Sequence, residues 1–191
     1  MARIGFGITS SYCTLEKTLI ELKNLVDLGH EIIPIVSNGV IHNNTRFGEG
    51  KNFKETIESY TNQKIVSSIN DAERFGASDK LDLIVVAPAT GNFIAKLANG
   101  ITDNTVTMAV KATLRNNSPV VIGISTNDGL GFNGINIAKL LYSKNIYFIP
   151  FGQDNCLKKP NSLISHFDLL SDTIDLALDG KQLQPVLQEF K

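Results

Sequence analysis

Short apolar runs alternate with polar, glycine-rich stretches along most of this chain. Residues 3–8, Arg-Ile-Gly-Phe-Gly-Ile, read as a strand entering a hydroxyl-rich turn. Leu15, Leu19, Leu22, Val26 and Leu28 follow at helical spacing, and Gly29 ends that helix. Residues 31–36 form a second strand, in which Pro34 predicts an edge position or a bulge. A long polar connection with Gly39, Gly48 and Gly50 precedes an amphipathic helix over 51–61. A short strand is predicted at 64–69, and the apolar run from Leu81 to Ala87 predicts the buried central strand. Pro88 is expected to end it, since proline cannot extend a hydrogen-bonded ladder. Helices are predicted over 105–114, 135–143 and 171–178, strands over 119–124 and 145–151, and a peripheral tail after Gly180. This alternation predicts a single α/β domain over 1–191. Its form is a Rossmann-like three-layer arrangement, a mostly parallel sheet flanked by helices on both faces.

Ligands of open α/β sheets sit beyond the carboxyl ends of the strands. Hydroxyl and amide groups recur at those places here. Thr9, Ser10 and Ser11 follow the first strand, Ser37 follows the second, and Thr90 and Asn92 follow the central one. Each alone reads as a helix cap. Converging, they would make a neutral cradle for one phosphate, such as that of FMN. A dinucleotide fingerprint fits poorly. In Gly5-Phe6-Gly7-Ile8-Thr9-Ser10 the third glycine position is serine, and no acidic residue follows the second strand.

Composition narrows the classes. The 191 residues carry a formal net charge of −1, so no basic stripe suggests nucleic acid. No apolar run is long enough to span a bilayer, and no signal-peptide pattern opens the chain. Cys13 and Cys156 lack metal-ligand spacing and read as reduced thiols of a cytoplasmic protein. No metal site is expected.

The segment Ala87-Pro88-Ala89-Thr90-Gly91-Asn92 resembles the Pro-Ala-Ser/Thr-x-Asn motif of the flavoprotein superfamily that includes the homo-oligomeric flavin-containing cysteine decarboxylases. That resemblance implies FMN at this turn, held by Ala87, Pro88, Thr90 and Asn92 with the hydroxyls above and with Ser125 and Asn127. It also implies a trimer or a multiple of trimers. Residues 94–97 and 105–114 would be contact surfaces.

Several further blocks, from Arg3 to about Pro185, are similar to the family of dipicolinate synthase B subunits within that superfamily. They include Asn44-Thr45-Arg46-Phe47-Gly48-Glu49-Gly50, Gly123-Ile124-Ser125-Thr126-Asn127-Asp128 and Lys158-Lys159-Pro160-Asn161-Ser162. The resemblance implies oxidation of a dihydrodipicolinate-level intermediate in the mother cell of a spore-forming bacterium. A separate A subunit would carry NADP. A planar dianionic dicarboxylate calls for cations, and Arg46, Lys158 and Lys159 are the candidates. Asp128 is the candidate base by position.

The decarboxylases' histidine before the central strand and their Pro-Ala-Met-Asn block have no counterpart. The stretch 68–76 holds no histidine, and the later loop reads Ile124-Ser125-Thr126-Asn127-Asp128. An independent FMN enzyme is the alternative reading, either decarboxylase-like or flavin-modifying. A non-catalytic scaffolding subunit is a third.

Overall fold

The computed structural model describes residues 1–45 and 48–189. In chain order the elements are β1 (Arg3–Ile8), α1 (Tyr12–Asp27), β2 (Glu31–Val36), α2 (Asn38–His42), α3 (Gly50–Thr61) and α4 (Ile69–Glu73). There follow β3 (Leu83–Ala89), α5 (Gly91–Ala98), α6 (Thr105–Arg115), β4 (Val120–Thr126) and α7 (Gly134–Leu141). The chain closes with β5 (Ile146–Phe148), β6 (Phe151–Asn155), β7 (Lys159–Ser165) and α8 (Leu170–Leu178). Among the described residues no helix is long and apolar enough to cross a membrane.

One seven-stranded sheet runs in the order β2-β1-β3-β4-β7-β6, and β5 also pairs β4. The strands β2, β1, β3, β4 and β5 are mutually parallel. Two partners share one edge of β4. Its first half, Val120 to Ile122, pairs β5 in parallel, and its last two residues pair β7 antiparallel at Ser125–Ile164 and Thr126–Leu163. The β6–β7 hairpin therefore stands beside the carboxyl ends of the parallel strands.

The strands are buried on both faces, as their continuous apolar runs predict. Successive residues feed opposite cores. Ile32, Leu83, Val85 and Val121 pack with α1, α3 and α8, whereas Ile33, Ile84, Val86 and Val120 pack with α5, α6 and α7. Each such side chain contributes about 1.5–3 kcal/mol by leaving water. In β1 only one face carries bulk. Ile4, Phe6 and Ile8 fill one core, while Gly5 and Gly7 face the other. A Cβ on Gly5 would lie 2.6 Å from Leu81, and one on Gly7 3.0 Å from Val106 of α6. These glycines let neighbouring side chains, including Val106 of α6, close on the strand.

Three expectations need correction. Pro88 does not end β3; it lies inside the strand, and the pairing with β4 shifts register between Val86 and Ala89. That irregularity spares proline the ladder bond it cannot make. The chain's last strands form a hairpin beyond 145–151, where polar residues gave no strand signal. The segment 64–69 contributes only a bridge from Val66 to Ile35, on the outer side of Pro34, so β2 is nearly an edge. The tail after Gly180 runs along the surface, with none of residues 181–189 buried, and is held to the sheet where the Gln182 amide donates to Phe148 O (2.7 Å) and accepts from Phe148 N (2.8 Å).

Candidate active-site cleft

A cleft of about 590 Å³ opens beyond the carboxyl ends of β1, β3 and β4. Its floor comes from the turns after these strands, and β7 forms one wall. Ser10, Ser11, Thr90, Asn92, Ser125, Asn127, Asp128 and Lys159 all line it. Sequence reasoning thus brought most of its candidates to one place. Ala87 and Pro88 are buried beneath, within β3.

The hydroxyls divide into two groups. Those between β1, β3 and β4 bond to one another. Thr9 Oγ1 donates to the Pro88 carbonyl (2.6 Å) and accepts from the Thr90 amide (3.1 Å). Thr90 Oγ1 in turn caps α5 by accepting from Phe93 N at 3.3 Å. Ser11 and Ser125 share a hydrogen bond of 2.8 Å, and Thr14 Oγ1 donates to Ser125 Oγ at 2.9 Å. Thr14 was not anticipated; its place in the first turn of α1 was the available signal.

At the β1–β2 edge the hydroxyls are not used up. Ser37 caps no backbone N–H, and its Oγ is buried without a hydrogen-bond partner. A buried unpaired hydroxyl costs on the order of 1–3 kcal/mol, so an acceptor or donor supplied by a ligand would relieve it. Ser10 is exposed, its Oγ 2.5 Å from where a Cβ on Gly39 would stand. Gly39 therefore keeps that approach open. Ser10 lines the cleft, whereas Ser37 lies outside its lining.

The cations are placed unevenly. Lys159 pairs with Asp154 at 2.5 Å, and that hydrogen bond holds its ammonium above the usual lysine range. Lys158 stands exposed in the β6–β7 turn, outside the cleft lining, with its backbone N–H bonded to Asn155 Oδ1. Arg46 lies outside the described residues.

Asp128 lies on the cleft wall. Its carboxylate accepts from the Thr126 hydroxyl and from Asn133 Nδ2 at 2.8 Å. Asn133 was missed by sequence reasoning, although it is 6% exposed. Its signal was a polar residue beside the apolar run of α7. Among the described residues no group of acids, histidines and cysteines could hold a metal ion.

The helices expected to form subunit contacts are largely spent inside the chain. Ile94, Val106, Ala109 and Val110 are fully buried in the core. A group of exposed apolar side chains, Leu130, Phe132, Ile135 and Tyr142, lies around α7 instead.

Comparison with known proteins gives the family context. The flavoprotein family model matches residues 1–147. The B subunit of dipicolinate synthase from Bacillus subtilis (strain 168) is 52% identical over 187 residues, covering 98% of this chain and 94% of that protein. The crystal structure of the dipicolinate synthase B subunit from Bacillus halodurans superposes with a TM-score of 0.92 at 50% identity. That match covers 100% of this chain and 97% of the other. The FMN-dependent cysteine decarboxylase SpaF shares the fold, with a TM-score of 0.64 at 22% identity over 94% of this chain and 96% of its own. The chain accordingly belongs to the flavoprotein family, and within it stands beside the dipicolinate synthase B subunits.

Proposed function

We propose that this chain acts with a separate A subunit to oxidise a dihydrodipicolinate-level dicarboxylate to dipicolinate. The observation that carries this reading is the likeness to named B subunits along 98% of the chain. The glycines of β1 add to it. They serve close packing at the sheet rather than a pyrophosphate, which leaves NADP to the partner.

The chemistry needs three things from the cleft. It must hold a planar dianion, orient one ring carbon toward the nicotinamide, and take up a proton. One ring C–H leaves with its electron pair as hydride to NADP; one further ring proton leaves to a base, and the ring becomes aromatic. Arg46 grips a substrate carboxylate, with Lys159 and Lys158 as the supporting cations. Lys159 must exchange Asp154 for the substrate to do so. Asp128 is the proton acceptor, since it is the cleft carboxylate without a cationic partner among the described residues.

Ser10 and Ser37 are the residues that would hold an FMN phosphate, Ser10 from the cleft lining and Ser37 from beside it, and Asn92 and Asn127 of the lining would hold the rest of the cofactor. When bound, FMN supplies a second two-electron acceptor beside the substrate. Thr9, Ser11, Thr90 and Ser125 shape that cradle through the bonds they make with one another and with nearby backbone groups.

Arg46→Ala tests the reading. Dipicolinate formation by the paired subunits should be lost while the two chains still co-elute in gel filtration. Undiminished turnover would remove Arg46 from the site.

A further inference from the structure

Thr126, Asp128 and Asn133 converge on one point of the backbone. A Cβ on Gly91 would lie 2.6 Å from Thr126 Oγ1, from Asp128 Oδ1 and from Asn133 Nδ2 alike. Gly91 opens α5, so the carboxylate rests on the first turn of a helix, where the dipole favours negative charge. A side chain at position 91 would occupy the same space as all three groups.

The Asp128 side chain spans its own loop, from Thr126 at the end of β4 to Asn133 at the head of α7. The loop's amides at Gly131 and Asn133 bond to the Asp128 backbone carbonyl, at 2.9 and 3.2 Å. Its two carboxylate oxygens go instead to two side-chain donors, one from the end of β4 and one from the head of α7. Asn133 is itself held, since its Oδ1 accepts from Asn136 Nδ2 at 2.9 Å. Asn136 Oδ1 then accepts from Asn99 Nδ2 at 3.3 Å. Each amide donates toward the cleft, and the series ends on Asp128. Directional donors that end on a single carboxylate fix its orientation and leave its remaining lone pairs to the cleft.

From this geometry we infer that Thr126 and Asn133 are positioning residues for Asp128, and that Gly91 is kept free of a side chain to seat the three together. The inference rests on the reading of Asp128 as proton acceptor. It adds Gly91, Thr126 and Asn133 to the machinery, none of which contacts substrate in this account.

The test compares variants of this chain in the paired-subunit assay, with the parent pair alongside. Asp128→Asn should lower kcat at least about 100-fold, the loss expected for a general base. Thr126→Val keeps the shape and removes the donor. It should lower kcat about tenfold or more with KM within about twofold, because a misplaced base costs rate rather than binding. Thr126→Ser restores the donor and should recover parent kcat. Gly91→Ala should follow Thr126→Val. Parent kcat in both Thr126→Val and Gly91→Ala, beside an inactive Asp128→Asn, would overturn the inference and leave Asp128 as the base. A loss in Thr126→Ser equal to that in Thr126→Val would overturn it too. Full turnover by Asp128→Asn would overturn the reading of Asp128 and this inference with it.

Discussion

The hydroxyls at the carboxyl end of the sheet face two different fates. Between β1, β3 and β4, Thr9, Ser11, Thr14, Thr90 and Ser125 are bonded to each other or to nearby backbone groups. At the β1–β2 edge, the Ser37 Oγ is buried with no partner and Ser10 is exposed. The two groups use the same residue types at equivalent places. The difference teaches that a hydroxyl at a strand end marks a ligand only when the fold has not already satisfied it. The first group stabilises the chain. The second is proposed to do its work when a phosphate is present.

Substitutions can break that comparison. The largest effect is expected at Thr9. Thr9→Val strands both the Pro88 carbonyl and the Thr90 amide, and should cost about 2–3 kcal/mol in urea unfolding. Ser37→Ala should behave oppositely, with stability within about 0.5 kcal/mol of the parent. It should nonetheless weaken FMN binding about tenfold, as read by flavin fluorescence quenching, because a charge-assisted hydrogen bond is lost. A Ser37→Ala protein that unfolds as readily as Thr9→Val would erase the distinction.

Lys159 sharpens the contrast on the opposite wall. Its pair with Asp154 is largely exposed, so Lys159→Met should cost less than about 1 kcal/mol of stability. The substrate KM of the paired enzyme should rise several-fold. A rise in KM with unchanged melting temperature would assign Lys159 to the substrate rather than to the fold.

The smallest effect concerns pH and lies away from the cleft. Glu58 accepts from Lys64 and from the Ile65 amide, which hold its carboxyl below the usual glutamate range. A carboxylate depressed in the folded state adds stability above its unfolded pKa, and that contribution is lost as pH falls through the folded value. Glu58→Gln should therefore flatten the acid side of the stability profile slightly. At neutral pH it should leave ligand binding unchanged.

Much of the fold was legible because the parallel strands are buried on both faces and read as continuous apolar runs. The hairpin was not. Gln153-Asp154-Asn155 and Lys159-Pro160-Asn161 show no alternation, and they are strands because the second half of the β4 edge is free to pair. The Lys51–Thr61 amphipathic stretch was read almost to the residue, whereas Pro88 misled because a register shift can absorb a proline inside a strand. At the site, the turns were legible and the partners were not. Nothing in the order Ser10-Ser11 says that Ser11 will meet Ser125, 114 positions on, while Ser10 stays open. The Asn133–Asn136 pair left a trace in sequence, two amides three apart among the isoleucines of α7, but its target depended on Gly91 at the head of α5, distant in sequence.

The central claim is a reaction shared between two chains. It is tested most directly by supplying freshly generated dihydrodipicolinate and NADP to this chain alone, to the A subunit alone, and to both. The account predicts dipicolinate, with stoichiometric NADPH, only from the pair. Equal product from the A subunit alone, or none from the pair beside a chain that carries flavin and turns over another substrate, would contradict it.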